Sequence, residues 1–296
     1  MFWSLFKKKK KSTSIPLKSA EMMIDKKTDV DMIPLKIKVS ISTNPGCIRQ
    51  DNEDNYFATG IGCKTKTSFS NDYTIEIGQF GVFSIFDGMG GESYGEEASR
   101  IAAETLNDFS ERLLSDNVDE KSIKSNVEQY IAIATNRISD MISKRKCNCS
   151  GCTMAMVVIY REMVYAFSIG DSRIYRICDD VFIQISEDQT LALKKLKANI
   201  YTKDEARNNP DSHKITSYIG LNNRGVGVPY LSYSPFPLSD SVVLLCSDGL
   251  TDMCNDDEIL TVISTTSNEI ADRLSKLAIK NGGEDNITCI VIQKAK

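Results

Sequence analysis

Two apolar, strand-like runs, TMAMVVIY and MVYAFSI, are separated only by Arg161 and Glu162, and a second pair, RIYRIC and VFIQI, only by Asp179 and Asp180. A two-residue connection closes an antiparallel hairpin, whereas a parallel crossover needs a dozen residues or more. Antiparallel sheets follow, and a doubly wound dinucleotide-binding or P-loop sheet is disfavoured. Alternating apolar residues mark further strands in IKVSIST, GVFSIF, SVVLLC and TCIVIQ. Helical periodicity falls in blocks at about 94–114, 121–145 and 256–280, with a shorter one near 202–208. Strand runs alternating with helix pairs predict an α+β sandwich, with helices covering antiparallel sheets.

At 296 residues the chain suits one large domain, or one domain with a tail. Residues 1–36 lack sustained periodicity and read as a flexible basic tail, with the folded body over 37–296. Residues 1–40 hold ten lysines against four acids, a net +6, leaving −10 on the rest. An acidic body argues against a nucleic-acid surface. The nine cysteines, odd in number and partly set in apolar strands, read as reduced thiols in a cytoplasmic protein. No apolar run reaches the roughly 18 to 20 residues of a membrane-spanning helix. Phe2, Trp3, Leu5 and Phe6 precede Lys7 to Lys11, the reverse of a secretory signal. A solvated tail is the plainer expectation there. Weak peripheral contact of residues 1–11 with an anionic membrane is the alternative.

Four aspartates stand at breaks beside apolar, β-branched runs: Asp87 in SIFDGMGG, Asp171 in FSIGDSR, Asp248 in LLCSDGL and Asp285 in GGEDNITCIVI. Singly, each is an ordinary turn between elements. Together they read as a carboxylate-lined site for hard cations, because several acids aimed at one place repel unless a cation holds them. The chain has one histidine, His213, in the polar stretch NNPDSHK, where it reads as a surface-loop residue. Histidine-based triads and multi-histidine metal sites would all have to be built on that one ring. Arg49, near Asp51, Glu53 and Asp54 in IRQDNEDNYF, is either part of a solvated charged loop or a bidentate donor for a phosphate beside the cations. The Cys147, Cys149 and Cys152 cluster fits no usual zinc spacing.

The ordered set RQDNED, FDGMGG, GCTMAMVVI, IGDSRIYRI, SEDQTLA, ITSYIG, LLCSDGLTD and EDNITCIVI, spanning about residues 37–293, resembles the bacterial form of the metal-dependent type 2C Ser/Thr protein phosphatases. The resemblance implies a four-layer α/β/β/α sandwich of two antiparallel sheets flanked by helical pairs, with two Mn²⁺ or Mg²⁺ ions at one edge. Asp87 would bridge both ions, the carbonyl of Gly88 would ligate one, and Asp248 and Asp285 would complete the protein's share. Asp54 would stand in or near the shell through water, with Glu53 and Asn286 supporting the ligands from behind. Arg49 would bind the substrate phosphate. Asp171 with Asp248 would support a third, weaker ion. The implied reaction is hydrolysis of phosphoserine and phosphothreonine by a metal-bridging hydroxide, opposing a cognate Ser/Thr kinase, in a monomer acting on phosphorylated proteins.

Three positions depart from the family pattern. Met89 stands where many eukaryotic members have a histidine, as it commonly does in bacterial ones. Gln189 stands in SEDQT where Asp-His is usual, and Ser217 in ITSYIG where an arginine or glutamine is frequent. The last two border an expected flap at about 188–235 and bear on substrate choice. Two rival readings are a catalytically weak member acting as a phosphoprotein-binding regulatory module, and an unrelated metal-dependent nuclease. The acidic body makes the nuclease the weaker of the two.

Overall fold

The computed structural model describes residues 34–90, 94–113, 119–147, 149–179, 181–220, 230–231 and 235–295. Residues 1–33 of the basic tail expected over 1–36, with the membrane contact expected of residues 1–11, lie outside the described residues, as do parts of the expected flap; Leu35 and Lys36 already belong to the first strand.

The chain enters through β1 (Leu35–Asn44), β2 (Asn55–Ala58), β3 (Gly62–Cys63), β4 (Phe69–Ile77) and β5 (Phe80–Phe86), then the short β6 (Gly88–Gly90). Helices α1 (Tyr94–Leu113) and α2 (Glu120–Arg145) follow, then β7 (Ser150–Cys152), β8 (Met154–Tyr160), β9 (Met163–Ile169), β10 (Arg173–Cys178) and β11 (Val181–Gln184). Next come α3 (Leu191–Lys197), α4 (Lys203–Asn208), a 3₁₀ turn at Pro210–His213, β12 (Tyr230–Leu231) and β13 (Phe236–Pro237). β14 (Val242–Cys246), α5 (Asp248–Thr251), α6 (Asp256–Thr265), α7 (Ile270–Lys280) and β15 (Ile287–Lys294) close the chain.

One sheet runs β11-β10-β14-β15-β1-β4 and the other β12-β9-β8-β5-β2-β3, with β13 also on β9. Every described strand pairing is antiparallel. At the tip of the β8–β9 hairpin Arg161 and Glu162 both take positive φ, 48° and 67°, the geometry of a two-residue primed turn whose twist matches the strands.

Period-two alternation sorts the side chains into layers. In β5, Phe83 and Ile85 face the other sheet, where they meet Val39, Ile41, Val243, Leu245, Ile290 and Ile292. Val82 and Phe86 face the opposite way, against Leu106 of α1 and Tyr130 and Ile131 of α2. Tyr130 is wholly buried and its hydroxyl donates to Ala102 O at 2.9 Å, which locks α2 to α1 without stranding a polar group. On the far side Leu244, Cys246, Cys289 and Val291 pack under Ile259 of α6 and Leu274 of α7. Cys246 and Cys289 are register partners and free thiols, acting as the small hydrophobes expected of them. The result is four layers: helix pair, sheet, sheet, helices.

The single helical block expected at 256–280 is two helices. α6 begins at a capping box, Asn255 accepting from Glu258 N while Glu258 accepts from Asn255 N, and ends at Thr266 in extended conformation. The Thr-Thr-Ser-Asn run there favours local side-chain bonds and caps over helix continuation. β4, an edge strand paired only with β1, was missed although Tyr73, Ile75 and Ile77 alternate and turn to the core; its first half, with Ser70, Asn71 and Asp72 all exposed, carries no such pattern. Among the described residues no helix is long and apolar enough to cross a membrane.

Candidate metal centre

The register brings the acidic breaks to one end of the sandwich. Asn55 pairs with Phe86, Ile85 with Ala155 and Met154 with Ile169, so Asp54, Asp87 and Asp171 leave their sheet at the same end. In the other sheet Arg173 pairs with Cys246, Cys246 with Cys289 and Asn44 with Ile287, which sets Asp248 and Asp285 at the matching end. Contacts between the sheets close this end. Ser247 Oγ donates to Asp54 Oδ2 at 2.8 Å and receives Thr288 N at 2.9 Å, while Glu53 N donates to Asn286 Oδ1 at 2.8 Å.

Thr153 stitches two of the turns together. Its N donates to Asp87 O at 2.9 Å, its Oγ1 accepts from Asp87 N at 3.0 Å, and the same oxygen lies 2.6 Å from Ser172 Oγ. Gly170, at φ +93°, makes the turn into Asp171, and a Cβ there would lie 2.7 Å from Thr153 Cγ2. Gln189 holds the same turn from the other side: its Oε1 accepts from Gly170 N at 3.0 Å and its N donates to Gly170 O at 2.7 Å. This departure from the family pattern therefore braces the backbone beside Asp171.

Asp248 is the electrostatic hub. Burial first raises Asp54, Asp87, Asp171 and Asp252, the charge of Asp248 adds to each, and Asp248 is itself raised by burial and then by Asp285. Burial above all, and then the charges of Asp248, Asp54 and Asp171, hold Asp87 well above the ordinary carboxylate range. Asp54 is wholly buried, and that burial pushes it up to about 7 against the opposing hydrogen bonds of Thr288 and Ser247. Asp54 Oδ1 and Asp171 Oδ1 are buried with no hydrogen-bond partner. Unpartnered oxygens and like charges in one desolvated place are costly unless a cation satisfies them. The donors are all hard oxygens, the set that Mg²⁺ and Mn²⁺ accept. Gly88 lies so close under α1 that a Cβ would come within 2.2 Å of Gly95 O and 2.6 Å of Glu53 O.

Arg49 is turned to an acid. Its Nη2 donates to Asp285 Oδ2 at 2.7 Å, and Asp285 chiefly raises its pKa. Glu53 is raised by burial, with Arg49 pulling the other way. Asn286 is buried and staples the 45–53 loop, donating through Nδ2 to Pro45 O at 3.0 Å and Asp51 O at 2.9 Å.

The sequence reading missed two residues. Asp252 follows one helical turn after Asp248, its N donating to Asp248 O at 2.8 Å, so the two side chains share a face of α5. The spacing in SDGLTD was the available signal. His213 is exposed, as expected, but it ends the 3₁₀ turn and its Nδ1 lies 3.5 Å from Asp252 Oδ2. Among the described residues one group of His, Cys, Asp or Glu brings three ligand atoms within 4.8 Å of one another, and it is His213, Asp248 and Asp252. Cys149 instead places Sγ 3.2 Å from Tyr218 OH, and Cys152 is buried in β7.

A profile of the family described as Protein phosphatase 2C matches residues 66–281. The serine/threonine phosphatase stp of Listeria innocua is 29% identical over 262 residues, covering 85% of this chain and 94% of that protein. The protein phosphatase PhpP of Streptococcus pneumoniae is 28% identical over 263 residues, covering 86% and 97%. The fold matches that of the Mycobacterium tuberculosis serine/threonine phosphatase PstP/Ppp, with a TM-score of 0.72 at 24% identity, over 88% of this chain and all of that one. The catalytic domain of PstP solved in complex with two manganese ions gives a TM-score of 0.69 at 23% identity, over 88% and 100%. An antiparallel sandwich with its acids gathered at one end, matched by the family profile over most of its length, leads to one assignment: the chain belongs to the protein phosphatase 2C family.

Proposed function

We propose that the acids around Asp248 hold two divalent cations, Mn²⁺ or Mg²⁺, at which this phosphatase hydrolyses phosphoserine and phosphothreonine in proteins. The observation behind this reading is the convergence on Asp248 of four other acids from both sheets, two of them with unpartnered buried oxygens. Asp87, Asp248, Asp285 and the carbonyl of Gly88 are the ligands, with Asp54 orienting water beside them and Asp171 with Asp248 serving a weaker third ion. When bound, the ions supply an acidified water as nucleophile and neutralise charge on the transferring phosphoryl group.

The remaining work falls to this chain's own groups. Arg49 presents a planar fork to the phosphate and, being paired to Asp285, is pre-aimed at the carboxylate cluster. Ser247 fixes the Asp54 carboxylate, and Asn286 fixes the loop that bears Arg49 and Glu53. Met89 offers no proton, so the leaving alkoxide takes its proton from water. A cognate kinase supplies the substrate esters, and the free cysteines support a cytoplasmic setting. A silent phosphoprotein-binding module would have no need of so costly a cluster of acids. Hydrolysis of a phosphothreonine peptide with Mn²⁺, abolished by EDTA and restored by added Mn²⁺, is the expected result; metal-independent hydrolysis, or none, would refute the reading.

A further inference from the structure

His213 is delivered by a braced segment. Two residues earlier, the buried Asp211 accepts from Lys195 Nζ at 2.5 Å, Tyr201 OH at 3.0 Å and Lys214 Nζ at 2.8 Å. Asn209 caps the 3₁₀ turn by accepting from Asp211 N at 3.0 Å, and Lys214 O accepts from Leu191 N at 2.9 Å. The backbone that carries the ring is therefore braced on both sides, at the edge of the insertion between β11 and β14. Opposite it, Asp248 and Asp252 share one face of α5. Their ligand atoms lie within 4.8 Å of one another and of a ring nitrogen. Asp171 stands near the same cluster: it is 7% exposed, its Oδ1 has no partner, and after burial Asp248 is the first of the charges acting on it.

We propose that His213, together with Asp252, supplies further ligands at Asp248 for the weaker third ion assigned above to Asp171 and Asp248, and that this ion is a divalent transition ion. An imidazole nitrogen distinguishes this position from the all-oxygen ligands around Asp87. Nitrogen donors suit Mn²⁺, Co²⁺ or Zn²⁺ better than Mg²⁺, so this position selects for a transition ion. Binding there would also fasten the insertion at 190–214 to the β14–α5 corner, because His213 stands on the first and the two aspartates on the second. The inference rests on the metal-dependent reading above, since Asp248 serves both places. The simpler alternative is an exposed ring that pairs with Asp252 and holds no ion.

The chain holds a single histidine, which makes the test decisive. The untagged full-length protein is titrated with Mn²⁺ and followed by pulsed electron paramagnetic resonance for coupling to an imidazole ¹⁴N, with Mn²⁺ binding measured alongside. The expected result is an imidazole nitrogen coupling that disappears in His213→Gln, with affinity for one Mn²⁺ equivalent weakened about tenfold or more. No nitrogen coupling at any Mn²⁺ level, or coupling that persists in His213→Gln, would overturn the proposal. Hydrolysis of a phosphothreonine peptide by the wild-type protein in the same Mn²⁺ series separates the two readings. Turnover without nitrogen coupling rejects only the role of His213, whereas absent turnover rejects the phosphatase reading itself.

Discussion

Arg49 Nη2 donates to Asp285 Oδ2 at 2.7 Å, a pair formed between residues 236 positions apart and open to solvent at 55% and 37% exposure. It links the proposed phosphate-binding residue directly to a proposed cation ligand. Exposed ion pairs contribute about 0 to 1 kcal/mol to stability, so its purpose lies in placement. Arg49→Ala is expected to leave the melting temperature within a degree or two while lowering kcat/KM for a phosphopeptide by about 2 to 4 kcal/mol, roughly 30- to 1,000-fold. Steady-state kinetics with unchanged kcat/KM would move the phosphate site elsewhere.

Gly88 has no room for a side chain, because the blocking atoms are backbone of Gly95 and Glu53 and cannot swing aside. Gly88→Ala should therefore push the β5–α1 loop away from the acids, costing about 1 to 3 kcal/mol of stability. Mn²⁺ affinity should fall further than stability alone explains. Calorimetric titration and thermal unfolding of the same preparation separate the two effects, and a variant with wild-type affinity would show that the Gly88 carbonyl is not needed.

The acids also set a pH dependence. Burial pushes Asp54 up to about 7 and Asp252 up to about 6, against about 3.9 in an unfolded chain. In chelator the folded protein then binds protons that the unfolded chain releases. The stability they contribute is fully present below about pH 4 and is lost as pH rises through 6 and 7. Melting temperature in EDTA should accordingly fall between pH 5 and pH 8. Mn²⁺ should shrink or reverse that fall by replacing protons with a cation. A rise in EDTA over the same window would contradict the assignment.

Asn286→Ala removes two donated bonds and one accepted bond that hold the 45–53 loop to the start of β15. Because the groups left behind are partly buried, a loss of about 2 to 4 kcal/mol is expected. Thermal unfolding should show it as a drop of several degrees, and Asn286→Asp should recover only the accepted bond from Glu53 N. A shift below one degree for Asn286→Ala would mean the loop is held by other contacts.

Much of this was legible in the sequence, for identifiable reasons. Two-residue hairpin connections and strict alternation in GVFSIF or TMAMVVIY reflect burial of strand faces, a local signal. The four acidic breaks were legible because each follows or precedes such a strand. β4 was not picked out, since its core-facing stripe is short, Tyr73, Ile75 and Ile77, and follows the exposed polar run Ser70 to Asp72. His213 was hidden for another reason: its place beside Asp252 depends on the path of the insertion between β11 and β14, which no local pattern encodes. Gln189 looked like a question of substrate choice, whereas its side chain and backbone both bond the Gly170 turn.

Asp248 is the residue at which the proposed centre gathers its acids, and Mn²⁺ titration calorimetry of Asp248→Asn tests that centre most directly. Wild-type protein should bind two Mn²⁺ ions, with a third more weakly. Asp248→Asn should lose at least one tight ion together with phosphopeptide hydrolysis, while circular dichroism shows the sandwich intact, since removing a ligand affects metal affinity more than packing. Near-wild-type Mn²⁺ binding and turnover at low metal in this variant would contradict the proposed centre.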